Sequence, residues 1–300
     1  MGVGIMTRER FASLLEPYMF EVYENVMEQG DDIIPQLFDV NNSTMSKETV
    51  TGIGAMGLMQ PWTGTVNYDS PDALWDKTYT HQKYSTGIRI DRDLWDDAQY
   101  GQAKDRINSA ILAAHRTRQL HATSVFNNAF DVAYAGPDAV ALCSATHDLS
   151  PTNGNHQSNI GTSAISIDSI EATRIAMMNF TDDRSNKLLT IPDTIIVPPS
   201  LEMKVSEYLQ SAGRADTANR ADNVRKGAYK LVTLPLLSDS NNWFMVDSAA
   251  MKRYLKWFER RKPVPEQDAD FDTEVLKWKL VARYSYGFHG YQWIYGHQVT

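Results

Sequence analysis

The sequence predicts a mixed α+β fold built around one unusually long helix. Residues 93–130 keep apolar side chains at helical spacing and contain no proline. Residues 51–90 are rich in glycine and then in aromatic and β-branched residues, which is typical of extended strands. Residues 278–288 alternate between apolar and polar side chains, as a half-buried strand does. Helix and strand signals in this order together give the α+β class.

Composition places the chain among globular proteins and weakens several functional classes. With 300 residues, one large domain or two smaller ones are both reasonable. Hydrophobic residues make up 42%, enough for a real core, which argues against global disorder. The net charge of −8 argues against specific nucleic-acid recognition, which usually needs a basic surface. The first fifty residues hold nine acids and three bases and form an acidic arm.

The cysteine count and the hydropathy of the sequence indicate the cellular compartment of the chain and whether it contacts a membrane. The one cysteine excludes an internal disulfide, so stability must come from burial or assembly. The first residues lack the apolar stretch of a signal peptide. No segment approaches the roughly 20 apolar residues that span a bilayer. We expect a soluble, intracellular chain that makes no membrane contact.

The N-terminal half predicts a helix, an extended segment and a second helix. Residues 7–29 show helical periodicity that Pro17 should kink, and residues 30–50 look irregular. In residues 51–90 we expect strands with a loop at 68–76. Acids crowd the start of the long helix, where its dipole favours them: Asp91, Asp93, Asp96 and Asp97. About 35 helical residues make a rod of roughly 50 Å, which suits a spine better than a small enzyme core.

The C-terminal half predicts shorter elements. In order, they are a loop-rich stretch at 133–163, a helix at 166–180, a strand at 194–197, a helix at 200–210, a polar loop at 212–227, two strands around a turn at 239–242, and a short helix at 249–260. In the final strand one face is apolar: Trp278, Leu280, Ala282, Tyr284, Tyr286 and Phe288. After Gly287 the alternation changes phase, as a bulge or bend requires.

The segment from Ala141 to Asn159 holds the one plausible catalytic or metal-binding cluster. Cys143 and His147 could be a nucleophile and its base, with Asp148 or Asn159 as a third group. A Cys-x3-His spacing also suits two zinc ligands, but two more would be needed. We favour a packed thiol and a histidine that orders the loop, because Cys143 follows the apolar run Ala-Val-Ala-Leu.

Other candidates are weaker. His115 and His121 lie six residues apart on the long helix, whereas a ligand pair needs a spacing of four. Neither a P-loop motif nor a nucleophile-elbow motif occurs in the sequence. A basic stretch near aromatics is better explained as a solvated helix face than as a phosphate-contacting surface: Arg253, Lys256, Arg260, Arg261 and Lys262. We therefore expect no metal, no cofactor and no catalysis.

Four segments resemble one known family. The sequence "GIRIDRDLWDDAQYG" (87–101) resembles the strand-to-spine-helix motif of Mu-like phage major head subunits, and "ALCSATHDLSPTNGNHQSN" (141–159) resembles the segment after that helix, with Cys143 at the family's Phe position. "LLTIPDTIIVPPSLE" (188–202) and "NNWFMVD" (241–247) resemble two later elements, in the family's order. Because an aromatic ring occupies the Cys143 position in the family, we expect Cys143→Phe to be tolerated.

This resemblance implies the tailed-phage major capsid fold, which encapsulins share. It implies an N-terminal arm (1–45), an extended β-hairpin loop with peripheral-domain strands (46–90), a spine helix and connector (91–163), an axial domain (164–250), and a C-terminal helix and strands that rejoin the peripheral domain (251–300). The connector would bury Cys143 and His147. A subunit interface would include Trp62, Tyr68, Trp75, Lys77, Tyr79 and Lys83. A covalent cross-link through Lys77 or Lys83 is not expected.

The function so implied is that of a major capsid protein, a structural component of the virion. It would self-assemble in the bacterial host cytoplasm, as hexamers and pentamers, into an icosahedral shell around double-stranded DNA. Its expected partners are other copies, a separate scaffolding protein, a portal, a decoration protein and, without sequence specificity, the packaged DNA. The alternatives are an encapsulin-type nanocompartment shell and a Cys–His enzyme of α+β fold.

Overall fold

The computed structural model describes residues 17, 20–25, 32–91, 100–213, 222–270 and 275–300. Residues 20–25 are helical, and the other helices are α1 (Ile34–Leu37), α2 (Tyr100–Asn127), α3 (Ile167–Met178), α4 (Pro199–Gln210) and α5 (Ser248–Tyr254). The strands are β1 (Asp39–Asn42), β2 (Lys47–Val50), β3 (Lys77–Thr80), β4 (Gln82–Asp91), β5 (His147–Ser150), β6 (Asn153–Gln157), β7 (Ile160–Gly161), β8 (Thr194–Val197), β9 (Lys230–Thr233), β10 (Trp243–Val246), β11 (Leu255–Ala269), β12 (Val275–Phe288) and β13 (Ile294–His297).

The predicted spine is present as α2, a helix of 28 residues and therefore about 42 Å long. Its predicted start, with Asp93, Asp96 and Asp97, lies outside the described residues. The apolar stripe predicted along this helix is buried except at Ala114, which is half-buried. Its buried residues are Ala103, Ile107, Ala110, Ile111, Ala122, Val125 and Ala129. The helical periodicity thus identified the face that packs on the sheet.

A four-stranded sheet in the order β1-β11-β12-β4 lies against this face of α2. In β12, Trp278 and Leu280 pack against Ile107 and neighbouring residues of α2. An aromatic stack crosses three strands, with Tyr284 at 4.7 Å from Tyr84 and 4.8 Å from Trp257, measured between ring centroids. The alternation predicted for residues 278–288 is confirmed only in part, because Val281 and Ser285 on the other face are buried as well and Tyr286 is half-buried. It ends at Gly287, whose φ of +151° suits glycine.

A five-stranded sheet in the order β7-β13-β10-β8-β9 forms the second layer. The predicted strand at 194–197 and the helices near 166–180 and 200–210 are confirmed as β8, α3 and α4. Ser166 caps α3 by accepting a hydrogen bond from the Ser169 N–H. All residues of β8 and β10 are buried. The two strands predicted around the turn at 239–242 are β9 and β10, but β8 lies between them.

Three local predictions outside residues 51–76 were wrong. Residues 34–50 contain α1, β1 and β2 rather than irregular chain, and residues 147–157 form the β5–β6 hairpin inside the predicted loop-rich stretch. The helix predicted at 249–260 ends at Tyr254. Leu255 starts β11, because its side chain, Trp257 and Glu259 are buried in alternation. The basic residues Arg260 and Arg261 therefore lie on a strand and not on a solvated helix.

The domain boundaries stay a prediction. The sheet to which each strand belongs can be compared with the domain predicted for it. β1, from the predicted arm, pairs in parallel with β11. β12 pairs with β4, as a C-terminal return to the peripheral sheet requires. β13 instead pairs with β10 in the five-stranded sheet. One core cluster includes residues of both layers, with Trp257 and Tyr284 from the first and Phe244 and Trp293 from the second.

Candidate assembly interface

The candidate site is the extended segment of residues 51–76, which connects β2 to β3. Only its base is paired: Gly52 accepts a hydrogen bond from the Leu74 N–H at 2.9 Å, and Gly54 donates to the Asp72 carbonyl at 2.8 Å. Beyond a single bridge between Ile53 and Ala73, no regular strand forms between residues 51 and 76. The strands predicted before residue 68 therefore do not form. Residues 51–76 are instead an arm with little pairing of its own, distinct from the predicted N-terminal arm of residues 1–45.

This arm exposes an unusual concentration of large apolar side chains. Seven of them are between 56% and 98% exposed: Ile53, Met56, Leu58, Met59, Trp62, Val66 and Tyr68. Scattered apolar residues are normal on a surface, but a contiguous group marks an interaction site. Residues 51–76 also contain no lysine or arginine, while Asp69, Asp72 and Asp76 supply negative charge. The arm is thus an apolar, acidic surface that the described residues of its own chain leave uncovered.

One contact fixes the arm to the layer of the five-stranded sheet. Arg184 donates to the Asp69 carboxylate at 2.7 Å and to the Ser70 carbonyl at 2.9 Å. The Ala55 N–H donates to Asp183 at 2.9 Å. Hydrogen bonding by the Gly57 N–H, followed by Arg184, lowers the pKa of Asp69. We call Asp69, Asp183 and Arg184 the arm clip, since these contacts set the direction in which the arm leaves the subunit.

The six predicted interface residues fall into two groups. Trp62, Tyr68 and Lys83 are exposed, and Trp75 is half-buried at the base of the arm. Lys77 and Tyr79 instead contact their own chain.

Lys77 donates to the Ala135 carbonyl at 3.1 Å. Tyr79 is 3% exposed, with its ring 5.2 Å from that of Phe258. Tyr79 therefore belongs to the packing of the subunit, so the interface that we propose below omits it and Lys77.

Cys143 and His147 are buried but do not form a catalytic pair. The His147 ring contacts Asp138 Oδ2 through Nδ1 at 2.5 Å and the Leu142 carbonyl through Nε2 at 3.2 Å, and it stacks on Tyr291 at 3.8 Å. Neither ring nitrogen is left to take a proton from a thiol. Burial also raises the pKa of the Cys143 thiol far above its usual value. This arrangement orders the connector and gives no basis for a nucleophile.

Cys143 also has no room for an aromatic replacement. A Cβ at Gly296 would lie 2.6 Å from Cys143 Sγ and 3.0 Å from the rings of both Phe130 and Phe244. The thiol and the two rings therefore already converge on the Gly296 backbone. The expectation that Cys143→Phe is tolerated does not fit this packing, because a phenyl ring would overfill the site.

Sequence reasoning missed the main organiser of the connector, Asn159, which it considered only as a third catalytic group. Asn159 is fully buried. Its amide donates to the Leu142 carbonyl at 2.8 Å and accepts from the Ser144 N–H at 2.8 Å. Its carbonyl accepts from the Gly296 N–H at 3.0 Å. The asparagine in the resemblance segment marked the position, but its partners in β13 are over 130 residues away.

The described residues form neither a metal-binding cluster nor a membrane-spanning helix. In the part of the chain that the structure describes, no three or more His, Cys, Asp or Glu side chains are grouped to hold a metal ion. No helix among these residues is long and apolar enough to cross a membrane.

Sequence comparison decides the family. Residues 75–295, more than two thirds of the chain, match the family described as phage capsid protein. The chain belongs to this family. None of the curated proteins matches the sequence of this phage capsid protein.

Solved structures agree with this assignment at the level of fold. The phage capsid protein is similar to the procapsid of bacteriophage JBD30, with a TM-score of 0.55 and 13% identity over 98% of this chain and 76% of the other. The capsid of an empty GTA particle gives 0.56 and 11% identity over 89% of each chain. A virus-like particle from Pyrococcus furiosus gives 0.56 and 9% identity over 94% and 98%. Family and fold together indicate a structural protein.

Proposed function

We propose that this phage capsid protein is the major head subunit of a tailed phage or prophage, of the Mu-like type. Copies assemble as hexamers and pentamers into an icosahedral shell that encloses double-stranded DNA. Family membership and the shared fold support the capsid role, and the four sequence segments at 87–101, 141–159, 188–202 and 241–247 support the Mu-like type. The observation that carries the proposal is the apolar arm of residues 51–76.

The arm supplies the driving force for assembly. Fully burying one large apolar side chain contributes about 1.5–3 kcal/mol. Seven such side chains are exposed on the arm. Burying even some of them offsets a large part of the free energy that association costs through lost translational and rotational freedom. Each subunit repeats this contact around a closed shell, so modest interfaces add up to a stable container. The interface that we propose consists of Trp62 and Tyr68, with Trp75 at the base of the arm and Lys83 on β4.

The remaining partners follow from this role. The parts of the chain would take the positions that the resemblance implies. These parts are the N-terminal arm (1–45), the peripheral parts (46–90, 91–163 and 251–300) and the axial domain (164–250). A separate scaffolding protein, a portal and a decoration protein would complete a virion head assembled in the host cytoplasm. Contact with the packaged DNA would be unspecific, since the net charge is −8.

A double substitution in the arm tests the proposal. Met59 and Trp62 are 98% and 72% exposed, so Met59→Ser with Trp62→Ser should leave the thermal midpoint of the subunit unchanged and abolish shells in negative-stain images. Val224→Ser is the matched control, because Val224 is equally exposed at 91% but lies outside the arm. Normal shells from the double variant would contradict the assigned role of the arm.

An encapsulin-type shell is the second candidate, supported by the likeness to the Pyrococcus furiosus particle. The contents of particles purified from the natural host separate the two. Nuclease-protected double-stranded DNA supports a phage head. An enclosed cargo enzyme without DNA supports a nanocompartment.

A further inference from the structure

A row of cations crosses the face of the four-stranded sheet that points away from α2. The strand register places Arg261 of β11 opposite Arg283 of β12, and Arg283 opposite Lys83 of β4. Neighbouring strands are about 4.8 Å apart, so the Cα atoms of the three basic residues lie within about 10 Å of one another. A register shift between Glu259 and Arg261 adds Arg260 beside them. We call Lys83, Arg260, Arg261 and Arg283 the basic row.

Like charges directly opposite each other destabilise a sheet, and this row is poorly neutralised. Arg261 pairs with Glu266. Lys83, Arg260 and Arg283 make no ion pair with any residue that the structure describes. The pKa of the nearby His81 is lowered chiefly by burial and further by the positive charges of Arg283 and Arg260, while Glu48 raises it. The subunit thus keeps a local positive surface although its net charge is −8.

An acidic surface lies on the opposite side of the same sheet. In the helical residues 20–25, Val22 and Tyr23 pack against the cluster that contains Ile107 and Trp278, on the α2 side. Glu21 and Glu24 on this helix are exposed and make no ion pair within the described chain. They belong to the first fifty residues, where acids outnumber bases nine to three.

The sheet itself keeps these two surfaces apart within one subunit. Ala282 and Tyr284, the neighbours of Arg283 in β12, point into the core on the α2 side. Since side chains alternate along a strand, Arg283 points to the other face. Glu21 and Glu24 therefore cannot reach the basic row of their own chain. Every copy carries one basic row and one acidic helix, which suits a head-to-tail contact between copies.

We infer that the basic row of one subunit receives the helix carrying Glu21 and Glu24 of a neighbouring subunit. The inference rests on the proposed function, because it needs copies that assemble. Copies with a net charge of −8 repel one another, and this contact places opposite charges together at the junction. The excess of acid in the chain itself favours another copy over nucleic acid as the occupant of the row.

Charge reversal with rescue tests the contact. One variant combines Lys83→Glu with Arg283→Glu, a second combines Glu21→Lys with Glu24→Lys, and a third carries all four changes. Assembly of the purified full-length protein is followed by light scattering at low salt. Lys83, Glu21 and Glu24 are exposed and Arg283 is half-buried. Each pair of reversals turns attraction into repulsion at these positions, so we expect roughly a tenfold higher concentration for assembly. The fourfold variant restores complementarity and should assemble like the wild type.

Controls separate the possible outcomes. Lys226→Glu with Lys230→Glu lowers the net charge by as much as the Lys83/Arg283 variant does, at exposed positions of the other layer, and should assemble normally. Thermal midpoints verify that each variant folds. If the wild type never assembles, the proposed function fails. If it assembles and both double variants match it, or if the fourfold variant is not rescued, the inference is overturned. Normal assembly of the Lys83/Arg283 variant with weaker binding to a 30-base-pair DNA probe would instead assign the row to phosphate.

Discussion

The buried His297 makes the subunit sensitive to acid, and the structure gives the size of the effect. The ring stacks on Trp243 at 4.1 Å, and its Nδ1 accepts a hydrogen bond from the Ser163 N–H at 3.2 Å. Thr173 uses its own hydroxyl hydrogen to donate to the Ser169 carbonyl. The His297 Nε2–H therefore donates to Thr173 Oγ1, at 2.8 Å. These contacts fit only the neutral ring with its hydrogen on Nε2.

Burial lowers the pKa of His297 from 6.5 to about 4. Between these two values the unfolded chain binds a proton that the folded chain excludes, so stability falls as the pH falls. The contribution is fully present above pH 6.5 and is lost progressively down to about pH 4. The whole loss is about 3 kcal/mol, of which about 2 kcal/mol appears between pH 7 and pH 5.

Urea unfolding of the unassembled subunit at pH 7 and pH 5 measures this loss. In His297→Gln the free energy of unfolding should be lower at pH 7 but should depend on pH by about 2 kcal/mol less than in the wild type. Val224→Ser is the control, because it changes a side chain that does not titrate and is 91% exposed, and it should keep the wild-type dependence. Equal pH dependence in the wild type and His297→Gln would refute the argument.

Further predictions concern the connector and the arm clip. Cys143→Phe should lower the free energy of unfolding by about 1–3 kcal/mol through overpacking, seen in chemical denaturation; a neutral effect would show unfilled space near Gly296. Asn159→Ala should lower the free energy of unfolding by about 1–3 kcal/mol, because the Ser144 N–H loses its partner and the Leu142 carbonyl keeps only its contact with His147 Nε2; a loss below about 0.5 kcal/mol would contradict its organising role. Arg184→Ala should change the thermal midpoint little but accelerate proteolysis within residues 51–76, and unchanged cleavage would remove the arm clip from the account.

The elements that could be predicted from the sequence are those with a strong local pattern. The helix α2 has a long apolar stripe, β8 is a short apolar run before two prolines, and α3 begins at a capping serine. Each of these signals lies within a few residues of the element that it specifies. The segment at 255–260 failed because a short aromatic and basic stretch fits a helix or a strand equally well, and pairing with β12 decides for the strand.

The candidate site was predictable in outline only. The aromatic, glycine-rich composition of residues 51–76 indicated a surface in need of a partner. Local patterns did not show that Tyr79 turns inward, that Arg184 holds Asp69 from 115 positions away, or that Asn159 connects to β13. These contacts depend on the register of strands far apart in sequence, and so does the basic row.

The central claim is that this protein closes into a shell. Negative-stain microscopy and light scattering of the purified wild-type protein over a series of concentrations and salts test it most directly. The account predicts hexamers and pentamers that convert into closed particles of uniform diameter. A protein that remains monomeric at high concentration under every condition would contradict it.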